Sequence, residues 1–88
     1  MRDLRENDIL TRVSRYNLIR NQRMLYIDVH EQIAGHLAGK FVAVPNLINI
    51  VAKQELQGVG ETETEALTSC LLKIKNCDIE DLFPTKSQ

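Results

Sequence analysis

The residues best equipped for chemistry in this chain are its arginines. Six of them, Arg2, Arg5, Arg12, Arg15, Arg20 and Arg23, fall between Met1 and Arg23, against Asp3, Glu6 and Asp8, and no lysine joins them. A guanidinium is planar, permanently charged and able to grip a carboxylate or a phosphate through two parallel hydrogen bonds. Arg12, Arg15, Arg20 and Arg23 are therefore candidates for binding an anionic partner. The far end of the chain has the opposite sign. From Glu55 onward Glu61, Glu63, Glu65, Asp78, Glu80 and Asp81 outnumber Lys73, Lys75 and Lys86. The first segment is +3 and the last −4, so the two ends can also neutralise each other. The net charge of −1 gives the molecule as a whole no electrostatic case for nucleic acid.

Other constellations weaken when their spacing is tested. In "GVGETETEALTSCLLKIKN", Gly58 to Asn76, two glycines precede a helix start, a place where backbone N–H groups can cradle a phosphate. Glu61, Glu63 and Glu65 crowd that start, complement the helix dipole and repel an anion. Thr62 and Glu65 also have the spacing of a capping box, which consumes the free N–H groups. "GHLAGK", Gly35 to Lys40, is one residue short of a P-loop and has Phe41 where Ser or Thr is required; it also lacks the context of a KH loop. His30 and His36 bracket Glu31, but the strand-to-loop spacing of the three fixes no common metal geometry. Cys70 and Cys77 on one helix would lie roughly 10 Å apart, too far for a disulfide, and read as buried, reduced thiols. Ser14, Ser69 and Ser87 have no nucleophile context. The expectation is a protein without catalytic activity, metal or cofactor.

The elements that would position the arginines follow from hydrophobic period. The 88 residues suit one small domain, residues 1–84, with "TKSQ" fraying at 85–88. Asn7 or Asp8 can cap a helix in which Ile9, Leu10, Val13 and Tyr16 recur at helical spacing, ending near Arg20 or Asn21. "MLYIDVHEQIA" then alternates, with Leu25, Ile27 and Val29 on one side of a strand and Tyr26 on the other. "KFVAV" predicts a second strand ended by Pro45 and Asn46, with Phe41 and Val42 facing opposite ways. A third strand is expected from about Ile48 to Leu56, with a helix through Ala52 to Leu56 as its competitor. The last long helix is expected to open at Thr62 with Leu67, Cys70, Leu71 and Ile74 inward, followed by a terminal turn that folds Ile79, Leu82 and Phe83 onto the core. The predicted fold is a two-layer α+β domain, helix–three antiparallel strands–helix.

Two resemblances bear on this order. The region from about Arg23 to Asn76 resembles a HicB-like antitoxin domain. Val44, Pro45, Asn46 and Leu47 match its "V-P-D-L" element with Asn for Asp, and Gly60, Thr62, Glu65, Ala66 and Leu67 match its "G-x-T-x-E-E-A-L" helix opening. The resemblance implies strand, strand, short third strand and helix, in a module that typically neutralises a small basic ribonuclease toxin. The arginine-rich N-terminal segment is additional, and no DNA-binding extension follows. The expected order of elements is also similar to that of double-stranded RNA-binding domains, but "ETETEA" stands where those need lysines.

The expectation for function is a protein-binding module, an antitoxin or inhibitor that masks a partner. The alternative is nucleic-acid binding through the arginine-rich helix, with few aromatics and no Trp to stack on bases. Candidate contact residues are Arg12, Arg15, Arg20, Arg23, Tyr26, Phe41, Glu61 and Glu63. "MRDLRENDIL" lacks a leader's apolar stretch, and no apolar run approaches a membrane span. A cytoplasmic homodimer, paired through sheet edges or an open sheet face, completes the expectation.

Overall fold

The computed structural model describes residues 3–35 and 38–83. Four antiparallel strands come first: β1 (Leu10–Arg20), β2 (Arg23–Ala34), β3 (Phe41–Asn46) and β4 (Gly58–Gly60). Helix α1 (Glu63–Ile74) and the short α2 (Ile79–Leu82) follow. The spatial order β1-β2-β3-β4 is the chain order. The domain is α+β, but the order helix–three strands–helix is incorrect.

The segment expected to be the first helix is β1. Its apolar residues satisfy a helical spacing, yet tertiary pairing decides the outcome. Asn21 and Gln22 have φ of +54° and +64°, the left-handed pair that a two-residue hairpin turn requires. This turn sets Arg20 opposite Arg23, and the register then runs through Leu18–Leu25, Tyr16–Ile27 and Ser14–Val29 to Arg12–Glu31. Cross-strand ion pairs between Arg12 and Glu31 and between Arg15 and Asp28 reinforce it.

The third strand expected over Ile48 to Leu56 is also absent. The chain instead doubles back along β3: Leu47 N–H donates to Ile50 O, and Ala52 N–H donates to Pro45 O. A 3-10 turn at Gln54–Leu56 follows. The buried Asn46 organises the reversal. Its Oδ1 accepts from Ile48 N–H at 3.0 Å and its Nδ2 donates to Val44 O at 3.1 Å. Ile48 is thereby held at φ +80° with 65% of its surface exposed. A β-branched residue there is strained.

The core lies between one face of the sheet and the helices. Leu25, Ile27, Val29 and Ala43 meet Ala66, Cys70, Ile74, Ile79, Leu82 and Phe83. The terminal turn thus folds back as its apolar spacing predicts. The buried stripe of α1 is Ala66, Cys70 and Ile74, whereas Leu71, expected inside, is 37% exposed. The reason is β4. A Cβ on Gly58 would overlap the Ala66 carbonyl and the Cys70 backbone, and one on Gly60 would overlap Glu65 and Ala66. The glycines let α1 sit directly on the strand, with the small Ala66 and Cys70 at the closest approach. Thr62 caps the helix, with its Oγ1 accepting from Glu65 N–H at 3.1 Å. The Glu65 carboxylate reaches back to Glu61 N–H at 2.9 Å. Residues 84–88, including the expected fraying tail, lie outside the described residues.

Two substitutions test this account. Gly58→Ala should lower stability by about 2 kcal/mol or more through overpacking, read as a fall in the urea midpoint. Ile48→Gly should raise stability by about 1 kcal/mol through release of backbone strain, read as a rise in that midpoint. An unchanged midpoint in either case would contradict the corresponding geometry.

Candidate functional site

The alternation of β1 and β2 divides the predicted contact residues between two faces. Tyr16, Leu18, Leu25 and Ile27 point to the helix side. Val13, Arg15, Asn17 and Ile19 point to the other side, opposite His30, Asp28, Tyr26 and Met24. Val42 and Val44 of β3 and Val59 of β4 continue this outer face.

The four arginines do not converge. Arg12 pairs with Glu31 at 3.1 Å. Arg20 Nη1 donates to Ile74 O at 2.9 Å and Cys77 O at 2.6 Å, satisfying carbonyls at the C-terminal end of α1. Arg23 donates to Glu80. Arg15 makes two hydrogen bonds with Asp28, at 2.7 and 3.0 Å, and its guanidinium lies 4.6 Å from the centre of the Tyr26 ring. The acids are engaged as well: Lys40 donates to Glu61 at 2.8 Å, and Tyr16 donates its hydroxyl proton to Glu63. Phe41 packs against the core on the helix side. Of the predicted residues, only Arg15 and Tyr26 meet on the outer face.

The centre of that face is one electrostatic unit. The Asp28 side chain is 13% exposed. The bonds from Arg15 hold its carboxyl below the usual carboxylate range, with a smaller contribution from Asn46. His30 Nδ1 and Thr11 Oγ1 lie 3.2 Å apart beside it. Around this neutral centre lie Val13, Ile19, Met24 and Val59, which are between 46% and 70% exposed. Among the described residues no helix covers them, because α1 and α2 pack on the opposite side. These apolar residues were not among the predicted contacts. Reading β1 as a helix concealed the alternation that aligns Val13 with Ile19, and Val59 sits inconspicuously between two glycines.

Burial pushes the Cys70 thiol up to about 11, so it stays protonated at neutral pH. Both cysteines are free, but Cys77 lies beyond the end of α1 and is only half-buried. Among the described residues no group of three His, Cys, Asp or Glu could hold a metal; His36 lies outside them. No helix among them is long and apolar enough to cross a membrane. Comparison with protein-family models, curated proteins and solved structures finds no match to this chain.

The Arg15–Asp28 unit sets a pH dependence. Because Asp28 has a lowered folded-state pKa, its contribution is fully present above the unfolded carboxyl value of about 3.9. It is lost as pH falls through the lowered value. Arg15→Met should therefore lower the urea midpoint at neutral pH, and this difference from the parent should shrink as Asp28 becomes protonated. Urea melts across that acid range check it. An equal loss at every pH would contradict the pairing.

Proposed function

We propose that this chain is a non-catalytic protein-binding module of the HicB-like antitoxin type, which masks a surface of another protein. One observation carries the reading: a sheet face with exposed apolar side chains surrounds a charge pair that is already neutralised from within. Such a face matches the apolar, charge-poor centre of protein interfaces. The segments that carry the resemblance also support it. Val44–Pro45–Asn46 closes one strand, Gly58–Gly60 is a short further strand, and Thr62 opens the helix. β1 is then an addition at the sheet's edge.

The alternative, nucleic-acid binding, rests on an arginine-rich helix. That segment is a strand, and Arg12, Arg15, Arg20 and Arg23 each engage an acceptor within the chain. Releasing them to bind phosphates would leave Asp28 and the end of α1 without their partners. The proposed module acts in the cytoplasm, where its thiols remain reduced.

The test is co-purification from the native host with parent protein and a Met24→Lys, Val59→Lys double variant, which alters the outer face away from the β1 edge. The expected result is a stoichiometric protein complex that survives high salt and Arg12→Ala, and is lost with the double variant. Recovery of nucleic acid that falls steeply with salt and requires Arg12 and Arg23 would overturn the reading.

A further inference from the structure

The two long edges of the sheet are treated differently. On the β3 side, the returning chain bonds Ala52 N–H to Pro45 O and bridges Asn46 to Val51, while β4 covers the other end of β3. The edge beyond β4 is only Gly58–Gly60. β1 is 11 residues long and, among the described residues, pairs only with β2. Natural edge strands are usually blunted by proline, lysine, a central bulge or short length. β1 has neither proline nor lysine, and its one irregularity lies at its start, between Leu10 and Thr11. Its arginines could repel a second strand, but Glu31 and Asp28 engage Arg12 and Arg15, and the end of α1 engages Arg20.

The hairpin determines which backbone groups are free. In a two-residue turn the flanking residues form a hydrogen-bonded pair, here Arg20 and Arg23, and such pairs alternate along the ladder. Leu18, Tyr16, Ser14 and Arg12 therefore bond to β2. Thr11, Val13, Arg15, Asn17 and Ile19 direct their N–H and C=O groups to the open edge.

We propose that this edge pairs antiparallel with β1 of a second copy, about a two-fold axis at Tyr16. The pattern of β1 is self-complementary in this register. Val13 meets the partner's Ile19 on the outer face, and Arg15 meets the partner's Asn17, a hydrogen-bond acceptor. Tyr16 faces the partner's Tyr16, and Ser14 meets the partner's Leu18, on the helix side. Arg12 falls opposite the partner's Arg20, but each is already held by an internal acceptor. A register centred on Arg15 would oppose two guanidinium groups at the axis. One centred on Asn17 would place Arg15 against the partner's Ile19 and Val13 against the partner's turn. Pairing about Tyr16 buries Val13, Tyr16 and Ile19, which are otherwise exposed. It also joins the two outer faces into one continuous surface. The inference does not rest on the protein-masking function, because the edge and the outer face can be altered separately.

The contact is narrow, so its dissociation constant should be on the order of micromolar. Sedimentation velocity over a dilution series is the test. The parent should pass from monomer to dimer with rising concentration. Asn17→Pro removes one outward N–H while sparing the bonds to β2. It should weaken the dimer by about tenfold or more, whereas Val59→Lys, away from the edge, should leave the dimer intact. In a Cys77→Ser background, Tyr16→Cys should form an intermolecular disulfide. The opposed Cα atoms of a non-hydrogen-bonded pair are about 4.5 Å apart, within disulfide range. A monomeric parent, a dimer sensitive to Val59→Lys but not to Asn17→Pro, or a failure of Tyr16→Cys to cross-link would each overturn the proposal.

Discussion

One α-helix cannot cover a four-stranded sheet. A helix with its side chains is about 10 Å across, whereas four strands at about 4.8 Å spacing are nearly twice as wide. In this chain Gly58 and Gly60 fix where the helix sits, because their missing side chains draw α1 down onto β4 and β3. The cost of that close fit is borne by β1. It extends past the shelter of the helix, which leaves Tyr16 exposed on the helix side. The exposure of β1 on the helix side follows from this mismatch of width, whereas the outer face is bare because both helices pack on the opposite side.

The charges respond to the same geometry. The basic N-terminal segment and the acidic C-terminal segment meet because β1 and β2 form a hairpin whose turn end lies beside the C-terminal end of α1. Arg20 satisfies carbonyls there, and Arg23 reaches Glu80. Exposed ion pairs of this kind contribute little to stability individually. Their larger effect is to neutralise charge at the turn end of the hairpin, on the helix side of the sheet.

Much of this arrangement was legible in the residues. The alternation of Leu25, Ile27 and Val29 gave β2, the run ending at Pro45 gave β3, and Thr62 with Glu65 marked the start of α1. The mutual neutralisation of the two ends was also available as an option. The nature of β1 was not. Ile9, Leu10, Val13 and Tyr16 fit a helical spacing by chance of composition, and Asn21–Gln22 lacks the glycine that advertises a hairpin turn. The reversal after Asn46 was hidden for a related reason. It depends on one buried amide that holds an isoleucine in a conformation isoleucine normally avoids. The candidate face was correspondingly half legible: Arg15 and Tyr26 lie on it, while its apolar residues became apparent only with the alternation of β1.

Residue-resolved amide hydrogen exchange along β1, at concentrations well below micromolar, tests most directly whether β1 is an uncovered edge strand. The amides of Ser14, Tyr16 and Leu18, bonded to β2, should exchange slowly. Those of Val13, Arg15 and Asn17, facing the open edge, should exchange rapidly and become protected as concentration rises. Uniform protection from Val13 to Leu18 at high dilution, as a helix or a covered strand would give, would contradict the account.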